Sequence, residues 1–243
     1  MLPGSLRTTI VLLLLCMAQM QGYTQQISTD TAFLAQSKKK IVAVYATSIQ
    51  HQSRLYNGSD YVIYLSRDEE HPYFNADDWT IGSVIYWGEL YENVPLMYDL
   101  SSDQIVTEHN RGNPIKLLRE KVDGFTIFDH TFVRIKDDQN KISEGFYDRL
   151  YNGSSKVYAK HTKTYRDDII SKEIIPSFDE NTKFYLVKNG AFNTVKSKGS
   201  VLQVLDDRKQ EIKAFIRKNR IRFKVNRAEA IVRTTEFYDS LTN

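Results

Sequence analysis

Two short stretches of this chain leave the backbone little choice. Phe146-Tyr147-Asp148-Arg149-Leu150-Tyr151 runs into Asn152-Gly153 and out through Lys156-Val157-Tyr158-Ala159-Lys160. Residues 183–188, Asn189-Gly190 and residues 191–196 repeat the scheme. Asn-Gly between two such runs predicts a β-hairpin, because a two-residue type I′ turn needs positive φ at both central positions and these residues tolerate it best. Each hairpin commits its flanks to antiparallel pairing, since parallel neighbours need long crossovers.

The same logic extends upstream. Residues 61–65, 83–87, 95–100, 105–109, 115–118, 124–128 and 131–135 are short apolar or alternating runs. Between them stand turn formers: Trp87-Gly88, Ser101-Ser102-Asp103, Arg111-Gly112-Asn113-Pro114 and Asp137-Asp138-Gln139-Asn140. Strands about ten residues apart with tight links predict an antiparallel sheet over 61–165. The chain holds 15 Tyr and 12 Phe, mostly in these runs, which predicts one dry and one wet sheet face with the tyrosine hydroxyls solvated. Residues 166–181 are charged and interrupted by Pro176, and read as a linker.

Helical periodicity appears at both ends. Phe33, Leu34, Ile41, Val44, Tyr45, Ile49 and Leu55 can share one face of a helix over 31–56, although the β-branched residues there also allow a strand. Near the C-terminus Ser200 and Gln203 form a capping-box pattern ahead of Val201, Val204, Leu205, Ile212, Phe215 and Ile216, a helix that Asn219 ends. Asn226 with Glu229 opens a second helix. The fold expected is therefore α+β: a central antiparallel β-sheet or open barrel, an N-terminal helix and a C-terminal helical pair. The divisions are a signal peptide at 1–22, a helical segment at 23–60, the β-region at 61–165, the charged linker at 166–181, and a hairpin plus helices at 182–243 that can share one domain with the β-region.

The start of the chain predicts export. Arg7 precedes the apolar run Ile10-Val11-Leu12-Leu13-Leu14-Leu15-Cys16-Met17, too short to anchor in a bilayer, and small or polar residues follow to Gly22. Cys16 is the only cysteine and lies inside this leader, so the mature chain has no disulfide, thiolate metal site or cysteine nucleophile. Leu15 before it is too large for lipidation. No second long apolar stretch follows, so no helical transmembrane span is expected, and the protein is placed in the periplasm or at the cell surface.

The hexapeptide Arg-Leu-Tyr-Asn-Gly-Ser occurs at 54–59 and again at 149–154, which reads as two uses of one turn rather than a duplication. Both copies fit the N-glycosylation pattern, but the turn explains them better. Blocks at Ser53-Arg54-Leu55-Tyr56-Asn57-Gly58, Leu90-Tyr91-Glu92-Asn93-Val94-Pro95-Leu96, Gly145-Phe146-Tyr147 and Phe237-Tyr238-Asp239-Ser240-Leu241 resemble, in the same order, those of a group of exported proteins from Bacteroidota. That resemblance implies a bacterial envelope location, and no activity or site residue comes with it.

Motifs for catalysis are sparse. His51, His71, His109, His130 and His161 have no paired ligand spacing, and no nucleophile elbow or phosphate loop is present, so no catalytic residue, metal or cofactor is expected. Asp68-Glu69-Glu70-His71 and Asp77-Asp78-Trp79 flank Pro72-Tyr73-Phe74, a pattern that can grip a sugar but reads better as a polar loop pinned by Phe74 and Trp79 in the core. Asp137 to Asn140 reads as a turn rather than a calcium loop.

Charge is concentrated in one place. The whole chain carries 33 basic and 30 acidic residues, too balanced to imply a polyanionic partner globally. Yet Arg208, Lys209, Lys213, Arg217, Lys218, Arg220, Arg222, Lys224 and Arg227 stand against Glu211 alone. They form a candidate surface for an envelope protein or an anionic envelope polymer. Export argues against nucleic acid. The alternative to this surface is a solvated helix face whose long stems cover apolar groups. Between Arg220 and Val225 charge alternates with Ile221, Phe223 and Val225, which suggests an extended piece. The function expected is a non-enzymatic, exported binding module; the alternative is a glycan hydrolase of the envelope.

Overall fold

A computed structural model describes residues 40, 54–64, 70–109, 112–136, 142–170 and 173–242. Apart from Lys40, all lie in the compact unit Ser53–Asn243. The signal peptide and almost all of the expected N-terminal helix lie outside the described residues, as do His51, Asp68, Glu69 and the turn at 137–140.

Among the described residues eleven strands form one antiparallel sheet: β1 (Gly58–Asp60), β2 (Thr80–Tyr86), β3 (Glu89–Asp99), β4 (Gln104–Glu108), β5 (Pro114–Leu117), β6 (Val122–Ile127), β7 (His130–Ile135), β8 (Gly145–Asn152), β9 (Lys156–Ile170), β10 (Glu173–Lys188) and β11 (Ala191–Val195). Their order is β1-β5-β4-β3-β2-β6-β7-β8-β9-β10-β11, two meanders that meet where β2 pairs with β6. Three helices follow: α1 (Lys198–Val204), α2 (Lys209–Lys218) and α3 (Arg227–Thr242). The antiparallel sheet and the C-terminal helices agree with the sequence. Residues 61–64 are not a strand; they cross the outside of the sheet, where Tyr61 N–H donates to the Pro114 carbonyl at 3.1 Å.

The sheet is rolled. Tyr98 on β3 and Phe146 on β8 are four strand steps apart, about 19 Å in a flat sheet, yet their ring centroids are 6.1 Å apart. Between them Phe125 and Phe132 stack at 4.7 Å. Stacked and edge-to-face pairs of this kind add about 0.5–1.5 kcal/mol each beyond burial. Across the mouth of the roll, Lys160 on β9 donates to Asp103 in the β3–β4 turn at 2.7 Å and to the Phe146 carbonyl at 3.0 Å, while Tyr98 donates to the same Asp103 oxygen at 2.6 Å. Burial pushes the Lys160 ammonium below its usual range. Gly145, at φ +151°, leaves room for this pair: a Cβ there would meet both Asp103 and Lys160.

The same face continues under the helices, where Val157, Leu186, Val201, Leu205, Ile212 and Ile231 are buried together. The expected wet face is only partly wet. On the opposite side Tyr147, Tyr158, Tyr185 and Val187 form a second layer, and Tyr73, Met97 and Val106 a third. Several tyrosine hydroxyls are buried and bonded to protein rather than solvated: Tyr86 donates to the Asn57 carbonyl at 2.7 Å and Tyr147 to the Ser143 carbonyl at 2.6 Å.

Turn chemistry worked at one Asn-Gly and not at the other. Asn189 and Gly190 have φ of 51° and 77° and join β10 to β11 as expected. Asn152 pairs with Lys156, which leaves a three-residue loop, and neither Asn152 nor Gly153 has positive φ. Gly153 is required for a different reason: a Cβ would collide with the Tyr151 hydroxyl and lie 2.6 Å from Asp239 Oδ2. The repeated hexapeptide also divides. Its first copy begins helical and ends in β1, its second is strand followed by loop, so it is not one turn used twice.

The described residues of the segment expected as a linker, 166–170 and 173–181, are strand. β9 and β10 pair from Glu173↔Ile170 to Val187↔Lys156 without a break. Beyond Ala159 and Phe184 neither β8 nor β11 runs alongside, so this part of the ribbon has two edges and tolerates Pro176. With Thr164, Tyr165, Arg166 and Asp167 exposed, it lacks the apolar alternation that marks a buried strand.

Candidate functional site

The basic C-terminal segment is shaped by how its helices start and stop. α1 is capped by Ser197, whose hydroxyl accepts from Ser200 N–H while the Ser200 hydroxyl accepts from Ser197 N–H at 3.0 Å. The cap therefore lies three residues before the one expected, and Ser200 is its reciprocal partner. The single helix expected from 200 to 218 is broken after Leu205. There the fully buried Leu205 and a 3-10 turn, Asp206–Arg208, bring Asp207 to Lys188 at 2.6 Å and to the Tyr238 hydroxyl at 3.0 Å. The second helix starts as predicted: Asn226 Oδ1 accepts from Glu229 N–H at 3.0 Å and its amide donates to Glu229 at 3.1 Å.

α2 buries Ile212 and Ile216 and ends in a Schellman turn. Ile221 N–H donates to the Ile216 carbonyl at 3.0 Å and Arg220 N–H to the Arg217 carbonyl at 3.2 Å. The residue in the left-handed position, usually glycine, is Arg220 at φ 52°. Such a conformation costs an L-residue about 1–2 kcal/mol. Arg220 and residues 223–225 are turns and 221–222 are irregular, so no strand forms where an extended piece is expected; Val225 is exposed and Ile221 and Phe223 are half-buried.

These elements bring Lys198, Lys213, Arg217, Arg220 and Arg222 onto one open cleft of about 560 Å³, floored by Ile216 and Ile221. No acidic side chain lines it, and none of the five forms an ion pair among the described residues. Four of the nine predicted bases are gathered here. Arg208 turns instead to Glu211 at 3.5 Å. Lys209, Lys218, Lys224 and Arg227 are exposed and line neither this cleft nor the smaller one beside it, which Arg220 and Arg222 share with Arg233 and Glu229. Lys198 was missed because it lies outside the basic run and reaches the cleft only through the fold of α1 against α2.

Elsewhere two of the dispersed histidines meet. Asp148, 1% exposed, engages His130 Nδ1 at 2.6 Å and His161 Nε2 at 3.4 Å, and His161 Nδ1 lies 3.0 Å from the Thr182 hydroxyl. Phe74 packs against both imidazoles, at 5.0 and 5.2 Å. Their spacing in sequence does not predict this meeting; cross-strand register joins β7, β8 and β9 here. A carboxylate that orients imidazoles is also an acid–base arrangement, but none of the three residues lines either cleft above. Among the described residues no group of three or more His, Cys, Asp or Glu side chains can hold a metal ion.

The sugar-grip pattern at 72–74 is buried: Phe74 belongs to the core as the loop reading expects, Tyr73 is buried as well, and Trp79, the other expected pin, is half-buried against Tyr73, Met97 and Val106. His71, held below its usual pKa chiefly by burial, accepts from Tyr73 N–H, and Glu70 accepts from Phe178 N–H at 2.7 Å. Comparison with protein-family models, curated proteins and solved structures finds no match to the chain.

Proposed function

We propose that this protein is an exported, non-enzymatic binding module whose C-terminal helices hold an anionic polymer of the bacterial envelope. Five cations on one open cleft, with no acid among its lining residues, carry the reading. Bringing five like charges together is unfavourable without a counter-charge, and in water each exposed cation is worth most when it meets a multivalent anion. The backbone strain at Arg220 points the same way, because it persists at the cleft where a glycine would relieve it. The short apolar run after Arg7 supports export.

A glycan hydrolase draws less support. Such enzymes work with two carboxylates flanking the scissile bond, and the basic cleft has none among its lining residues. The test is cosedimentation of the full chain with isolated bacterial envelopes, with inorganic polyphosphate as competitor. Arg217→Glu, Arg220→Glu and Arg222→Glu together should abolish an association that polyphosphate also displaces, while the melting midpoint holds. Equal cosedimentation of the wild type and the triple variant would remove the basic cleft from the function. Loss of binding to envelopes after protease treatment, with polyphosphate still displacing it beforehand, would point to an acidic protein instead.

A further inference from the structure

We propose a second, separate binding site, for a neutral saccharide, in the cleft between the β3–β4 turn and the β9–β10 ribbon. This cleft, about 490 Å³, lies on the outside of the rolled sheet and shares no residue with the basic one. Tyr64, Tyr165 and Phe178 form its aromatic wall, with Tyr64 and Tyr165 each set edge-to-face on Phe178 at 5.2 and 5.6 Å. Tyr165 is 51% exposed, and its hydroxyl donates to Asp167 at 2.6 Å, which fixes the ring at the cleft.

The polar side of the cleft is arranged around one buried carboxylate. Asp99 Oδ1 accepts from Ser101 N–H at 2.8 Å, the Ser101 hydroxyl at 2.8 Å and Ser102 N–H at 3.1 Å. Its Oδ2 accepts from the Ser102 hydroxyl at 2.6 Å and the Tyr61 hydroxyl at 2.9 Å. Burial, with the Tyr73 and Asp99 neighbours, pushes the Tyr61 phenol far above its usual range, so it stays protonated and keeps donating. The Ser101 and Ser102 hydroxyl hydrogens are thus committed to Asp99, which leaves the lone pairs of those two oxygens for a ligand, while the Tyr61 hydroxyl is shared between Asp99 and the Tyr73 hydroxyl at 3.4 Å. Gln104 and Lys116 add donors at the rim.

A ligand that fits must donate to fixed hydroxyl oxygens, accept from an amide, and lay a C–H face on aromatic rings. A pyranose ring does all three. Among the described residues Asp99 is the only carboxylate that lines the cleft, and both its oxygens are occupied, so these residues supply the parts for binding rather than an acid–base pair.

The test uses the full chain with three neutral trisaccharides, cellotriose, maltotriose and chitotriose, followed by saturation-transfer NMR and titration calorimetry. Saturation should reach the ring C–H protons of at least one of them. Tyr165→Ala should weaken that binding by about fivefold to tenfold, the value of one aromatic face, and Gln104→Ala by a smaller factor. Arg217→Glu should leave it unchanged. Tyr165 is exposed enough for its replacement to fold, and a melting scan checks this; if it does not fold, Gln104→Ala decides. No transfer to any of the three sugars, or transfer undiminished in the folded variants, overturns the proposal.

Discussion

Replacing Arg220 by glycine separates the two roles that a residue at this position can have. Arg220 occupies the left-handed position after α2, at φ 52°. Relief of that conformation gains about 1–2 kcal/mol, and the extra freedom of glycine in the unfolded chain takes back about 0.4–1 kcal/mol. Both hydrogen bonds of the Schellman turn involve backbone atoms only, so glycine retains them. Arg220→Gly should therefore be more stable by about 0.5–1 kcal/mol, a rise in melting midpoint of about 1–4 °C for a chain of this size. The same variant removes one of five cations from the cleft and should weaken binding to inorganic polyphosphate by about fivefold, roughly 1 kcal/mol per exposed cation near an anionic surface. Urea denaturation and calorimetric titration read the two effects independently. A variant that is no more stable than the wild type would show that the Arg220 side chain holds the turn in place. Its backbone strain would then be structural, and the cleft would lose one argument for being a site.

Two other expectations rest on different parts of the molecule. Gly82→Ala places a Cβ against the Thr126 backbone carbonyl, which cannot move without opening the β2–β6 ladder, and should cost about 1–3 kcal/mol in urea denaturation; an unchanged midpoint would contradict the register at the junction of the two meanders. Asp207 is held below the ordinary aspartate value of 3.8, chiefly by the hydrogen bond from Lys188. It binds a proton less readily folded than unfolded, so its stabilisation is complete above that value and is lost as pH falls through the lowered one. Asp207→Asn should remove this part of the acid sensitivity, and parallel acid-denaturation curves for the two proteins below about pH 4 would refute the role given to Lys188.

The sequence was most legible where the constraint is local. Asn189-Gly190 predicted its hairpin because positive φ is a property of two residues and their immediate neighbours. The same dipeptide at 152–153 made a hairpin with another loop, because Tyr151 and Asp239, the latter from α3, crowd Gly153 and settle the backbone there. Type I′-like turns formed elsewhere without the expected residues. Phe128 and Asp129, at φ of 50° and 63°, join β6 to β7 because the strands on either side demand it. The ribbon at 166–170 and 173–181 was hidden for the opposite reason: its charges and Pro176 read locally as a linker, and the pairing that makes it strand is between β9 and β10.

The candidate sites divide along the same line. A run of bases is visible in any linear reading, and its excess over acids needs no structure to detect. Which of them face one another does. Lys198 joins the cleft and Lys209, Lys218, Lys224 and Arg227 stay out of it, because helix phase and the break at Leu205 decide direction, and both depend on what is buried beneath. The aromatic cleft had no sequence signature, since Tyr64, Ser102 and Tyr165 are brought together only when the sheet rolls and the β9–β10 ribbon lies against the β3–β4 turn. Residue order alone determined an antiparallel, tyrosine-rich sheet with a basic helical end. The curvature that makes its sites was decided by packing of Phe125, Phe132 and Phe146 around Tyr98 and by the buried bridge from Lys160 to Asp103, interactions between strands that no local pattern connects.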